Sequence, residues 1–456
     1  MSDEIDLLVV GAGACGLAAA IAGADAGLNV AIVEKTERPG GNSALSTGSV
    51  PGAGSRFQRE AGIKDDPETY FQDLMRIAGD TDDPDLVKRI TEVSAETVEW
   101  LVDKVGARMQ LITVYKHIGH SVPRLHAPAS RKGIDLVNDL LKAVDERNVP
   151  LAVGNAVREL IVEDSVVKGG VVDTGSGHTE VRAKATLLAV NGFGANRELV
   201  KRYCPEIAGA AYFGAKGSEG EAVIWGEKLG ARLDNMGAYQ GYAAVADPHG
   251  SILSWTTIEK GGVLVGQTGR RFGDESLGYS GFAKVVLQQG SHAFAIFDQR
   301  IFEIAMLEEE FAELHAHGGL KKGDTVEAVA NAQGIDGAAA AQAIAEYNAA
   351  ALGQISDPFG RKDFGLAPLM PPFYSCRVVP ALFHTQGGLH VDRDARVIRR
   401  DGSVIRGLYA GGGAAAGISG RSGALGYASG SGLLTAIALG RLGALAAARD
   451  IGAISE

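Results

Sequence analysis

Gly11, Gly13 and Gly16 stand at Gly-x-Gly-x-x-Gly spacing, directly after a continuous apolar run at residues 5–10 and at the start of an Ala-rich stretch of helical pattern at 17–26. Glu34 and Lys35 close a second β-rich run that begins at residue 29. These residue types in this order make a phosphate-binding turn. Gly11 permits the tight bend, and Gly13 lets a pyrophosphate reach the backbone of Ala14 and Cys15 at the positive end of a helix. Gly16 lets helix and strand pack closely, and Glu34 accepts hydrogen bonds from a ribose hydroxyl. The strand, helix and acid together predict a dinucleotide site, with NAD and FAD both open on this fingerprint alone.

The elements that position this turn follow a βαβ pattern. Apolar positions recur at helical spacing between residues 65 and 105, with Asp82, Asp83 and Pro84 as a break and helix start, so two or three helices are expected there. Residues 157–172 alternate as a hairpin, and the run at 185–190 reads as a buried strand ending in Asn191 and Gly192. From about 234 to 355 aromatic and polar residues interleave around an Ala-rich helix at 337–351. We read this as an inserted α+β domain that splits an α/β nucleotide domain into residues 1–233 and 356–456. The last segment returns to Gly-rich turns, a strand at 408–410 and a final helix from about 430 to 448.

Composition narrows the function classes. The 456 residues are 46% hydrophobic, and the 63 glycines cluster at strand ends, where a phosphate-bearing cofactor needs close backbone approach. A net charge of -11 without Lys or Arg runs disfavours a nucleic-acid surface. Cys15, Cys204 and Cys376 are widely separated, which excludes a paired redox-cysteine motif and zinc spacing and fits a reducing compartment. No metal site is expected. The first strand begins within a few residues of Met1, leaving no room for a signal peptide, and the apolar stretch at 432–448 carries Arg441 among Gly and Ala. A cytoplasmic protein without a membrane span is the expectation.

Pro39-Gly40-Gly41-Asn42-Ser43 lies just past Glu34, followed by Ser46-Thr47-Gly48. With Ala189-Val190-Asn191-Gly192-Phe193-Gly194 and Leu408-Tyr409-Ala410-Gly411-Gly412-Gly413, these segments resemble the flavoprotein superfamily of fumarate reductase, succinate dehydrogenase, tricarballylate dehydrogenase and 3-ketosteroid dehydrogenase. The resemblance covers nearly the whole chain. It implies a Rossmann-like FAD-binding domain, discontinuous in sequence, with an inserted capping domain. It also implies that Gly40 to Ser43, Ser46 to Gly48, Asn191, Gly192, Gly412 and Gly413 line the cofactor. No His occupies the covalent flavin position of succinate dehydrogenase, so noncovalent FAD is implied.

Further segments resemble the superfamily's active site. His384-Thr385-Gln386-Gly387-Gly388 is similar to the HTxGG segment whose His contacts substrate. Gly119-His120-Ser121-Val122-Pro123-Arg124-Leu125-His126 is similar to a GxSxxRxH stretch near the flavin, which makes His120 a candidate substrate contact or part of a structural loop. Gly269-Arg270-Arg271-Phe272-Gly273-Asp274-Glu275 is similar to GxRFxNE. Fumarate reductases place a proton-delivering Arg a few residues later; here Ser276-Leu277-Gly278-Tyr279 resembles the NESxxY segment of ketosteroid dehydrogenases, and Tyr279 becomes the implied proton-transfer residue. Tyr427-Ala428-Ser429-Gly430-Ser431-Gly432-Leu433 likewise resembles a YPGxG segment rather than the NRLGGN of fumarate reductases. It implies a Tyr427 hydroxyl and the Gly430–Ser431 backbone on a carbonyl oxygen, with Ser431, Gly432 and Leu433 also at the cofactor. Arg421 either clamps a substrate carboxylate or pairs with a surface acid.

The expected chemistry is removal of hydrogen from a Cα–Cβ pair next to a ketone. Developing charge on the carbonyl oxygen requires preorganised donors, Tyr427 with His384 as a second, each worth about 3–4 kcal/mol. Tyr279 accepts the Cα proton. The same steps run backwards describe an ene reductase, and a flavin-bearing electron-transfer subunit is the alternative of another class. A small-molecule ketone or carboxylate and an electron acceptor or donor are the expected partners. The missing Arg pair argues against a dicarboxylate.

Overall fold

The computed structural model describes residues 5–114, 116–175, 177–290 and 292–455. The chain forms two compact units, one of Met1–Cys204, Gly214–Tyr239 and His384–Glu456, the other of Pro205–Phe213 and Gln240–Phe383.

The first unit is built on β1 (Ile5–Val10), α1 (Ala14–Asp25), β2 (Val30–Val33), α2 (Pro67–Ala78), β3 (His178–Leu188), β4 (Val404–Ala410) and α3 (Ser431–Asp450). The strand order β4-β3-β1-β2 is parallel throughout, and Leu151–Ala152 continues it in parallel beyond β2. On the far side Arg396–Ile398 pairs antiparallel with β4, and the hairpin Ala156–Glu163/Val166–Asp173 pairs antiparallel with β3. Leu7, Leu8 and Val9 are fully buried, which explains the continuous rather than alternating apolar run of β1. The three helices between 65 and 105 are Pro67–Ala78, Pro84–Glu92 and Ser94–Asp103. The first two start in the same way: Asp66 accepts from the Thr69 N–H and Asp83 from the Leu86 N–H, with proline at the first helical position.

Helix α3 packs against α1 through small residues. A Cβ on Gly440 would lie 2.2 Å from the Cys15 carbonyl oxygen, so the two backbones touch. By length and composition alone α3 is long and apolar enough to cross a membrane, Arg441 notwithstanding. Most of it is buried within the unit, which makes it a core helix.

In the second unit Val263–Val265, Ala293–Asp298, Phe373–Thr385 and Gly237–Ala246 neighbour one another in that order, and Ala211–Tyr212 and Lys321–Gly323 also pair with Phe373–Thr385. Phe297, Tyr374 and Phe302 stack face to face in its core. This unit ends at Phe383 rather than at residue 355, and it starts at Gln240 and takes in 205–213. The reason is pairing. Phe373–Asp298 and its neighbours join the 373–383 stretch to the 293–298 strand, and Arg361 bonds the carbonyl oxygens of Gly262 and Ile258 and the Glu275 carboxylate. The return to strand and turn patterns at residue 366 marks secondary structure, and says nothing about which sheet receives the strand.

Candidate active site

The β1–α1 turn is held as its glycines require. Gly11 has φ 104°, and a Cβ on Gly16 would lie 1.9 Å from the Gly11 carbonyl oxygen, which no side-chain movement relieves. Glu34 accepts from the Ala12 N–H at 2.8 Å with one oxygen and from Thr36 with the other. Lys35 bridges Glu219, at 3.0 Å, and Glu221. Cys15 is buried, and burial pushes its thiol up to about 12, so it contributes as backbone and packing rather than as a nucleophile.

The second turn docks onto the first. Ser43 Oγ accepts from the Ala14 N–H at 3.1 Å, Gly40 forms a bridge to Gly13, and Asn42 Oδ1 accepts from the Ala215 N–H at 2.6 Å. Gly41 opens the short helix Gly41–Leu45. Ser46 Oγ donates to Ser43 O and accepts from Gly48 N–H, while Thr47 and Ser49 hydroxyls bond at 2.9 Å.

A third cluster forms where β3 and β4 end. Asn191, at φ 66°, places its Oδ1 on the Gly192 N–H and its Nδ2 on Ser218 Oγ, and the Phe193 N–H donates to Thr385 Oγ1. Gly413 packs on Asn191, and Gly412 lies beside Cys15. All these segments, scattered over 400 residues, are assembled in one unit.

Helix α1 and helix α3 both begin without a side-chain cap, at Gly13 and Gly430. The Ala14 N–H is taken by Ser43 Oγ and the Ser431 N–H by the Ala428 carbonyl oxygen, so Cys15 and Gly16 of α1 and Gly432 and Leu433 of α3 offer the next N–H groups of each first turn to an anionic or carbonyl oxygen partner. Two uncapped helix ends, a backbone turn that tolerates no Cβ at Gly16 and an acid at the end of β2 fit the pyrophosphate, ribose and ring of FAD.

At the start of α3 the substrate candidates meet. The His384 and Tyr427 rings lie edge to face at 6.2 Å, and a Cβ on Gly432 would lie 3.5 Å from His384 Cε1, so Gly432, one residue before Leu433 in the first turn of α3, sits beside the imidazole. Ser431 Oγ donates to the Ala428 carbonyl oxygen at 2.8 Å, closing the turn around Gly430. Burial pushes His384 down to about 4, so the ring is neutral at working pH. Its Nδ1 faces the Thr385 carbonyl oxygen at 3.4 Å, an acceptor, and so carries the proton. The Nε2 edge then accepts, and the second oxyanion donor that the resemblance implies at His384 requires the other tautomer.

His120 is wired into the same turn. Its Nδ1 accepts from Arg124 at 3.1 Å and its Nε2–H donates to the Ser429 carbonyl oxygen at 2.8 Å, which fixes a single neutral tautomer. Burial, then the Arg124 charge, pushes it down to about 4. Arg124 is fully buried between Asp65, at 2.8 and 2.9 Å, and Asp73, at 2.8 Å. Tyr70 of α2 stacks its ring under the Arg124 guanidinium at 4.5 Å and beside His120 at 5.5 Å. Helical spacing marks Tyr70 and Asp73 as ordinary inward positions, so nothing in the sequence singled them out.

Arg421 is exposed and pairs with Asp80 at 3.0 Å and Asp82 at 2.6 Å, the surface-acid arrangement of the two alternatives. In the second unit Tyr279 is half-buried, its ring tilted on Tyr242 at 5.2 Å, and Tyr242 in turn stacks on Phe383 at 5.1 Å. The adjacent Ser280 Oγ accepts from the Gly241 N–H. Arg271 of the GxRF-like segment is buried between Glu275, at 2.7 Å, and Asp357, and so braces the turn that leads to Tyr279. Among the described residues the one grouping with metal-ligand spacing is Asp83, Asp234 and His390, where the imidazole bonds Asp234 at 2.7 Å.

A family model described as FAD binding domain matches residues 6–429. The chain belongs to that family. A probable fumarate reductase of Shewanella frigidimarina is 30% identical over 92% of this chain and 71% of its own length. The urocanate reductase of Eggerthella lenta is 31% identical over 90% and 70%. The open conformation of a flavocytochrome c3 fumarate reductase superposes with a TM-score of 0.85 at 29% identity, covering 100% of this chain and 79% of that one. A 3-ketosteroid Δ1-dehydrogenase from Sterolibacterium denitrificans gives 0.80 at 22% identity over 98% and 100%, a likeness of fold. The protein is an FAD-dependent oxidoreductase acting on CH–CH groups.

Proposed function

We propose that the enzyme desaturates the Cα–Cβ bond next to a ketone in a small cyclic or steroid-like substrate. The observation that carries this is the engagement of the nearby cations. Arg421 is held by Asp80 and Asp82, and Arg124 by Asp65 and Asp73. A substrate carboxylate would have to displace one of those acids, whereas an uncharged carbonyl oxygen needs only neutral donors. Tyr427 and the Gly430 N–H are such donors, the Ser431 N–H being taken by the Ala428 carbonyl oxygen, and noncovalent FAD is held by the turns described above.

When bound, FAD supplies the two-electron acceptor for the hydride that leaves Cβ. Tyr427 hydrogen-bonds the carbonyl oxygen, so that charge released at Cα is stabilised as it develops. Tyr279, acting as the phenolate, takes the Cα proton, and the resulting phenol gives it up to solvent after the product leaves. The electron acceptor that resets the cofactor is a separate partner.

A second reading is the reverse reaction, reduction of an enone or unsaturated carboxylate. It is favoured by the names of the sequence relatives, which are fumarate and urocanate reductases. The test is a single-turnover comparison of wild type and Tyr279→Phe, each mixed anaerobically with a saturated cyclic ketone. Retained flavin content with a slowing of more than about a hundredfold supports the proposal; equal rates remove Tyr279 from the chemistry.

A further inference from the structure

The hydroxyl of Tyr70 is fully buried and has no hydrogen-bond partner in the protein. Buried polar groups are nearly always satisfied, so such an orphan points to a partner that is not part of the chain. The neighbours cannot supply one. Every Arg124 nitrogen is engaged, by Asp65, by Asp73 and by His120 Nδ1. His120 Nε2–H is committed to Ser429 O, and Asp73 Oδ2 also accepts from the Ser121 N–H and hydroxyl.

The ring is also unable to swing away. It is clamped on one side by the Arg124 guanidinium at 4.5 Å and faces His120 at 5.5 Å. His120, beside which the ring lies, donates to the Ser429 carbonyl oxygen two residues after Tyr427, and burial pushes the Tyr70 phenol far up, so it stays a neutral donor at any working pH. Gly119 packs between the two segments: a Cβ there would meet the Ile77 side chain of α2 and Ala428, the residue after Tyr427.

We propose that Tyr70 is a substrate-binding residue whose hydroxyl donates to the same carbonyl oxygen as Tyr427. This rests on the ketone reading above. It makes the carbonyl subsite a two-phenol site, one phenol on α2 and one on the turn before α3, with the buried Arg124 pair as the rigid floor that aims the first.

The test titrates the oxidised holoenzyme with cyclohex-2-enone, followed by the change in flavin absorbance, alongside a thermal melt. Tyr70→Phe should weaken binding about tenfold, the loss of one hydrogen bond. Its Tm should stay level or rise, because Phe removes the orphan hydroxyl. Tyr70→Phe with Tyr427→Phe should lose less than the two single losses combined, since the phenols share one acceptor. Unchanged affinity in Tyr70→Phe, or a marked fall in its Tm, overturns the proposal by showing a hydroxyl that serves water or the fold. A wild-type enzyme that shows no binding overturns the ketone reading together with it.

Discussion

His120 donates its Nε2–H to the Ser429 carbonyl oxygen at 2.8 Å while its Nδ1 accepts from Arg124. The pair links α2 and its buried acids to the first turn of α3, where Tyr427 and His384 meet. His120 therefore positions the turn, and both its nitrogens are occupied. His120→Phe should keep its FAD and lose about tenfold in turnover, with His120→Gln recovering part of it, as measured by steady-state assay and flavin content. Wild-type turnover in His120→Phe removes the link from the account.

Gly16→Ala puts a methyl against the Gly11 carbonyl, where backbone meets backbone. The purified variant should carry little or no FAD. Gly266→Ala is the control, because its methyl meets Phe272 at an ordinary 3.8 Å and should leave FAD content intact. Equal flavin loading of the two variants contradicts the geometry of the turn.

Tyr427 and Tyr279 separate by readout. Tyr427→Phe should weaken ketone binding and slow turnover together, because a carbonyl donor acts in the ground state and in the transition state. Tyr279→Phe should slow turnover with little change in ketone affinity. The measurement is a pair of binding titrations beside single-turnover rates, and the reverse pattern would exchange the two roles.

Much of this was legible in the residues. The Gly11–Gly16 fingerprint, the 337–351 helix and the last helix stand where the pattern puts them, since strong periodicity and Gly spacing are local signals. The boundary at 383 was not legible, because strand 373–385 owes its sheet to partners at 293–298. Tyr70, Asp65 and Asp73 were invisible for the same reason: their importance lies in Arg124, more than fifty residues away in sequence.

Acid should weaken the Arg124 cluster first. Burial works to raise Asp73, but hydrogen bonds from Arg124 and Ser121 outweigh it and hold the carboxyl well below its usual range. A depressed folded pKa contributes stability that is fully present above the unfolded value of about 3.9 and is lost as pH falls through the folded value. Melts of wild type should therefore fall more steeply below about pH 4 than melts of Asp73→Asn, which should already be about 3 kcal/mol less stable at neutral pH. Parallel pH curves contradict this.

The most direct test of the central claim is anaerobic mixing of the FAD-loaded enzyme with a panel of saturated cyclic ketones, followed by flavin absorbance and by identification of the product. Bleaching of the flavin with formation of the matching α,β-unsaturated ketone is the predicted result. A flavin that stays oxidised with every ketone, yet when reduced is reoxidised by unsaturated carboxylates alone, would contradict it.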